Sequence, residues 1–383
     1  MRRAVSFALA APVLLLAVTA LFPPPAAGAD LRSQLSGWFS LNNAAPSTPR
    51  LGLRWQPSLS LDRSLGAGWK LDAEMTMAAS VALDAPSWRC ADAEGTLDPY
   101  RLWLRLSSRR FEARLGLQKI NFGSATVFRP LMWFDRIDPR DPLQLTDGVT
   151  GLLLRYFFRG NTNLWLWGLY GNDEPKGWET LPTARRSPEF GGRFQAPFFS
   201  GEAAASAHFR RVADGTARTG ESRFALDGKW DLGFGLWVEA SLVHGGDSAE
   251  ALPWQHALAL GVDYTFPWGN GLYMMAEQFL VRSAPAVLGA GGNGASFSAL
   301  LARYPLGLLD SLNAVFYYDW RNGQAYNFAS WQRTTDRWQF HLMAFWNPRQ
   351  SRLVPAQAGD PQVPEANTSF AGRGFQLMAV WNI

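Results

Sequence analysis

This sequence predicts an all-β chain closed into a transmembrane antiparallel barrel of about 18 strands, with 16 as the alternative if one hairpin is miscounted. Three observations predict it. Apolar and polar residues alternate with period two along the chain, no run of about 20 apolar residues follows residue 30, and short and long connections alternate between the patterned segments.

The first 29 residues stand apart. Arg2 and Arg3 precede a mostly apolar run from Ala4 to Phe22, Pro23-Pro24-Pro25 break it, and Ala27-Gly28-Ala29 supply small residues for cleavage. Residues 1–29 therefore read as a secretory signal peptide, with the mature chain, residues 30–383, forming one domain. The only cysteine is Cys90, so no internal disulfide framework is available and no lipid-bearing cysteine sits at the cleavage junction. Leaving out Arg2 and Arg3, 34 of the 36 basic residues face 32 acidic ones. That near-neutral balance excludes nucleic acid as a partner.

The strands are predicted at 33–42, 50–62, 66–82, 98–108, 110–119, 148–158, 162–171, 188–197, 201–211, 221–231, 234–244, 255–266, 271–281, 295–304, 311–319, 325–333, 336–347 and 373–383. The segment 51–62 shows why. Leu51, Leu53, Trp55, Pro57, Leu59 and Leu61 alternate with Arg54, Gln56, Ser58, Ser60 and Asp62. From Trp69 to Val81 every odd position is again apolar, while Lys70, Asp72, Glu74, Thr76 and Ser80 mark the other face. One face is too charged for a packed core and the other too apolar for water, so the wall divides lipid from an aqueous interior. Tight connections such as 63–65 and 267–270 fall between long ones at 83–97, 120–147, 172–187, 282–294 and 348–372, and an even strand number returns both ends to one side. Trp338 and Trp346 share one face eight residues apart, about 26 Å along a strand, which suits aromatic girdles at two interfaces. The final strand, Phe375 to Ile383, is apolar at every odd position.

Functional groups are expected on the polar, inward face. Arg54, Arg101, Arg105, Arg114 and Arg155 form a candidate basic wall, and Asp72, Glu74, Glu239, Asp263 and Glu277 supply the inward acidic residues. Opposed arcs of charge set a transverse field across a narrow pore and select ions by sign. The same charges also suit neighbouring-strand ion pairs that only keep the interior polar. The connection 120–147 is too apolar for a free surface loop: Val127, Phe128, Leu131, Met132, Trp133, Phe134 and Ile137 need burial. It is expected to fold inward as a constriction or plug, turned by Asp138-Pro139 and Asp141-Pro142 and ringed by Arg129, Asp135, Arg136, Asp138, Arg140 and Asp141.

In overall plan the mature chain resembles the porin-like barrels of Gram-negative outer membranes, and the 120–147 segment is similar to their constriction loop. It departs from them in ending Trp381-Asn382-Ile383 where an aromatic terminus is usual. The resemblance implies a location in the bacterial outer membrane, contact with its lipid, insertion by the barrel assembly machinery and, as in many porins, a homotrimer. It also implies passive diffusion of small hydrophilic solutes, anionic ones if the arginine wall governs, with no cofactor and no metal. The alternative is a closed structural or partner-binding barrel. A barrel enzyme is the weakest reading, because none of His208, His244, His256 and His341 lies in a recognisable Ser-His or Asp-His setting.

Overall fold

The computed structural model describes residues 29–43, 49–87, 90–135, 142–146, 148–179, 181–214, 217–245, 252–288, 291–348 and 370–383. Residues 1–28, expected above to be part of a signal peptide, lie outside the described residues, as do Arg136, Asp138, Arg140 and Asp141. Eighteen strands run in chain order: β1 (Ala29–Asn42), β2 (Arg50–Gly66), β3 (Trp69–Ser87), β4 (Cys90–Ser107), β5 (Phe111–Gln118), β6 (Val149–Phe157), β7 (Asn163–Leu169), β8 (Glu189–Phe198) and β9 (Gly201–Asp214). They continue as β10 (Ala217–Asp231), β11 (Gly235–Gly245), β12 (Trp254–Phe266), β13 (Leu272–Ala284), β14 (Asn293–Pro305), β15 (Asp310–Asp319), β16 (Gln324–Thr334), β17 (Trp338–Trp346) and β18 (Arg373–Asn382).

Each strand pairs antiparallel with its sequence neighbours, and β18 pairs with β1, so the sheet is a closed all-β barrel without edges. Closure is tight at the seam. Ser33 and Ile383 exchange backbone hydrogen bonds of 3.0 and 2.8 Å, Gln34 Nε2 donates to Asn382 Oδ1 at 3.0 Å, and Phe39 meets Phe375 with ring centroids 6.0 Å apart. The apolar last strand thus supplies the closing partner of the first.

Alternation decides which face meets which medium. Along β17, Trp338, Phe340, Leu342 and Trp346 are exposed on the outside, whereas His341, Met343 and Phe345 are buried inside. Trp338 and Trp346 mark opposite ends of that strand, as their spacing requires. At the end of the barrel carrying the tight turns, outward aromatics cluster: Phe198 on Phe199, Phe266 on Trp268, and Trp338 stacked on Trp381 at 5.7 Å. At the other end, Trp254 lies on His244 and Trp320 on Tyr318. Two aromatic belts of this kind bracket an apolar band, the pattern of a membrane-spanning barrel.

One predicted connection is corrected. Segment 83–97 is not a long loop: β3 and β4 extend as a paired hairpin, with Leu83 opposite Ala93 and Ser87 opposite Cys90. Pro86, inside the connection expected at 83–97, falls within a register shift between Asp84 and Ser87, where a missing backbone donor disturbs no ladder. Likewise β9 and β10 run further toward each other than expected, with Asp214 opposite Ala217.

Candidate functional site

The connection between β5 and β6 is the third on the long-loop side, and it enters the barrel. Ile120, Phe122, Leu131, Trp133 and Phe134 pack on Val149, Leu153, Trp167 and Leu169 of β6 and β7. Further along, Ala125, Val127 and Phe128 cross to the opposite wall, against Trp237, Phe279, Phe297, Tyr317 and Phe328. Of the apolar residues that made 120–147 implausible as a surface loop, Val127, Phe128, Leu131, Trp133 and Phe134 join two lumenal clusters, and Ile137 lies outside the described residues. Phe128 stacks on Phe279 at 5.3 Å, and Phe122 stacks on Trp167 at 5.7 Å.

A loop inside a barrel must still satisfy its backbone N–H groups. Two carboxylates do this. Glu277 on β13 accepts from Thr126 N (2.5 Å), Val127 N (2.9 Å), Phe128 N (3.0 Å) and the indole of Trp237 (3.1 Å). Glu239 on β11 accepts from Ala125 N (2.6 Å) and Leu131 N (3.3 Å). Both face inward as the alternation requires, but their oxygens are spent on the loop. Gly123 fits this grip: its φ is +95°, and a Cβ there would lie 2.3 Å from Glu239 Oε1.

A second loop, 172–188, expected only as a long connection, turns inward and joins the first. The Trp178 indole donates to Arg129 O at 2.8 Å and its ring stacks on Phe279 at 5.7 Å. Gly177, at φ +50°, passes so close that a Cβ would sit 1.7 Å from Met132 O. Arg129 itself bonds Asn121 and lies 3.9 Å from Asp135. Burial pushes the Asp135 carboxyl above the usual carboxylate range, an effect that the Arg129 and Lys119 charges only partly offset.

The other side of the lumen is polar. On β3 to β6, Lys70, Arg105, Arg114 and Arg155 share three carboxylates, Asp62, Asp72 and Glu112. Asp72 takes Lys70 at 2.7 Å and Arg105 at 3.1 Å, and Glu112 takes Arg114 at 3.1 Å and Arg155 at 3.6 Å. Aromatic faces hold the guanidinium planes: Arg114 lies 4.8 Å from the Trp103 centroid, Arg155 3.8 Å from Trp165, and Arg54 5.3 Å from Trp38. Arg105 and Arg155 keep side-chain exposures of 29% and 19%, so these cations remain within reach of water. Arg101 is different. It is buried and donates to Thr146 O at 2.9 Å, bracing the end of the long loop. Glu74 accepts from Thr76 Oγ1 at 3.1 Å, and Asp263 accepts from the Tyr273 hydroxyl at 3.1 Å.

Several inward groups were not anticipated. Arg193 and Asp227 form a buried two-point pair at 2.5 and 2.7 Å. Glu179, from the second loop, is held by Arg210 at 2.9 Å and Arg223 at 2.8 Å, and both arginines also bind Glu221. Fully buried His208 lies between Trp167 Nε1, which donates to its Nδ1 at 3.1 Å, and Glu189, 3.2 Å from its Nε2. The period-two pattern put the strand side chains among these inside, but only topology brings them together with Glu179 of the loop. Among the described residues, no cluster of three His, Cys, Asp or Glu side chains is arranged to hold a metal.

No protein-family model matches the chain, and no curated protein resembles it in sequence. Solved structures do resemble it in fold. OccK5 of Pseudomonas aeruginosa, at 11% identity, aligns over 93% of this chain and 98% of its own with a TM-score of 0.57. OccAB4 of Acinetobacter baumannii, at 9% identity, covers the same shares with a TM-score of 0.56, and OmpF of Salmonella typhi, at 11%, aligns over 93% and 97% with a TM-score of 0.50. The chain thus has the closed antiparallel barrel fold of porin-type outer-membrane proteins.

Proposed function

We propose that this chain is an outer-membrane channel for passive diffusion of small hydrophilic solutes, with a preference for anions. One observation carries the reading: the lumen is divided. The described residues of loops 119–148 and 172–188 pack against the side lined by β6 to β17, while the wall of β2 to β6 keeps partly exposed arginines that outnumber the carboxylates bonded to them. A barrel of this strand number is wide enough to retain a passage beside such a loop. A solute passing there exchanges bulk water for a hydrated wall whose field favours negative charge. Transport of this kind needs no cofactor.

Export through a cleaved signal peptide, insertion by the barrel assembly machinery and a homotrimeric assembly complete the proposal. Cell fractionation, sequencing of the mature N-terminus and the mass of the detergent-solubilised protein test these. The channel itself is tested by single-channel conductance in a planar bilayer, with selectivity from the reversal potential across a salt gradient. Stable open steps with anion preference are expected, and Arg105, Arg114 and Arg155 replaced together by Ala should move that potential toward cations, whereas Arg101, which braces the loop, is left in place. Unchanged anion preference in the variant refutes the arginine wall. Silence from a folded barrel refutes the channel and favours a closed, partner-binding barrel, a reading supported by the presence of two inward loops rather than one.

A further inference from the structure

Between β7 and β8 the chain is tied to the wall at two places and held only by side chains between them. Asn172 is fixed to β6, where its amide bonds the backbone N–H and C=O of Thr150 at 2.8 and 3.0 Å. Further on, Thr183 bridges Val212 of β9, Ala184 N donates to Arg211 O at 2.7 Å, and Ala213 N donates to Pro182 O at 3.0 Å. The intervening flap, residues 173–179, makes no backbone hydrogen bond to a strand among the described residues. It nevertheless bears on the constriction loop, because its Trp178 donates to Arg129 O and stacks on Phe279.

Charge holds the flap down. Lys176 Nζ lies 3.1 Å from Glu189 on β8, and Glu179 sets one carboxylate oxygen 2.9 Å from Arg210 on β9 and the other 2.8 Å from Arg223 on β10. The two arginines also share Glu221, so without Glu179 two guanidiniums face one carboxylate and the fork has a cation to spare. A free oxyanion with two oxygens on one centre fits that fork as the Glu179 carboxylate does. A cleft of about 130 Å³, room for about four waters, opens beside the flap between residues 170–173 and 183–187. Thr183 joins cleft to fork, its hydroxyl accepting from Arg210 Nη1 at 3.2 Å and from Lys176 Nζ at 3.3 Å. Exposed Arg185 and Arg186 line the cleft against the single carboxylate of Asp173, which favours entry of anions.

We propose that Arg210 and Arg223 form an oxyanion site at the long-loop mouth of the barrel, that Glu179 is its built-in occupant, and that phosphate or a phosphate ester entering by the cleft takes the place of Glu179 and lifts the flap off the constriction loop. Glu179 and both arginines are buried, so phosphate captures the fork when the flap opens and traps it open. A tethered carboxylate outcompetes a free one through its high effective concentration, whereas a dianion brings about twice the Coulombic attraction to the same fork. That difference argues for phosphate over a simple carboxylate. The site stands on its own geometry, and only its consequence, a wider passage with phosphate bound, rests on the function proposed above.

The test is hydrogen exchange at the Lys176 and Glu179 amides, both bonded within the closed flap, in the folded barrel in detergent, with sodium phosphate against sodium chloride at equal ionic strength and neutral pH. Phosphate should speed exchange at these two amides by about ten-fold and leave the amides of β9 and β10 unchanged. Glu179→Gln should exchange in chloride as fast as the parent does in phosphate, and should bind phosphate, read by phosphorus NMR line broadening, at about ten-fold lower concentration. Because Glu179 is buried and its replacement also threatens folding, the exposed pair is changed separately. Arg185→Gln with Arg186→Asn should leave exchange in chloride unaltered and raise the phosphate needed several-fold. Equal exchange of the unaltered protein in phosphate and chloride overturns the site. Unchanged phosphate affinity in Glu179→Gln overturns Glu179 as the occupant, and an unchanged response in the double variant overturns the cleft as the entrance. Exchange in detergent is independent of conductance, so a barrel that conducts but ignores phosphate fails here alone, and one that answers to phosphate but does not conduct fails only as a channel.

Discussion

Replacing Glu277 by Ala should unfasten the constriction. Its carboxylate accepts four hydrogen bonds, three from consecutive loop residues Thr126, Val127 and Phe128 and one from Trp237. Hydrogen bonds to a charged group contribute about 1.5–3 kcal/mol each, and each buried donor left without a partner costs about 1–3 kcal/mol. The bonds share one acceptor and are not additive, so the bound on the cost is set by two donors left stranded after local relaxation, about 2–6 kcal/mol. At about 1.4 kcal/mol per factor of ten, that raises the population of the displaced loop by about thirty-fold to about twenty-thousand-fold. Glu277→Gln should behave nearly as badly, because its amide keeps one acceptor oxygen and turns an NH2 toward N–H donors. Two readouts follow in the same preparation: single-channel conductance, expected to rise and to fluctuate between levels, and trypsin cleavage after Arg129, buried in the intact protein and expected to become accessible. Unchanged conductance together with unchanged protection of Arg129 would refute the role of the carboxylate as loop anchor.

Asp227→Ala should leave Arg193 buried without its two-point partner and lower stability by about 3–5 kcal/mol, read as a lower temperature for loss of heat-modifiable migration, whereas Arg193→Met with Asp227→Leu should recover most of it. Gly177→Ala should drive loop 172–188 off loop 119–148, since its Cβ would overlap Met132 O at 1.7 Å, and the loss of Trp178 stacking should appear as a red-shifted tryptophan emission. Asp135→Asn should stabilise the protein at neutral pH and have little effect near pH 3. The Asp135 pKa is raised on folding, so the acid form favours the folded loop and the penalty of ionisation grows as pH climbs through the unfolded value of 3.8 toward the folded one. Denaturant midpoints across that range check it, and an Asn variant weaker than the parent at pH 7 would count against the burial argument.

What was legible in the sequence was what two solvents impose on a strand. Lipid on one side and water on the other force period two through every strand, so Trp338, Phe340 and Leu342 declare their face without any knowledge of neighbours. The same logic exposed residues 120–147 as an inward loop, since Phe128, Leu131, Trp133 and Phe134 had nowhere else to go. Legibility fell where a local signal was ambiguous. Pro86 reads as a loop residue, yet at a register shift it interrupts nothing, and β3 and β4 run on past it. It failed where partners are far apart in the chain. Glu277 and Val127 are separated by 150 positions, and nothing near either one records that they meet. The pairing of Arg193 with Asp227 is hidden in the same way.

Glu239 and Glu277 face inward, where the alternation puts them, yet contribute little mobile negative charge to the passage because their oxygens are committed to N–H groups. Two members of the acidic arc expected to oppose the arginines are therefore covered by the loop, while the arginine wall keeps its partial exposure at Arg105 and Arg155. On the function proposed above, a field that looked balanced along the sequence becomes one-sided, and the loop proposed to narrow the pore is what unbalances it. On the proposed reading anchor and selectivity are one arrangement: releasing the loop by Glu277→Gln widens the passage and removes a carboxyl there, whereas Glu239→Gln loosens the loop while keeping the Glu277 carboxyl. If the field argument holds, the first variant gains conductance and keeps its anion preference, and the second gains conductance and loses part of it.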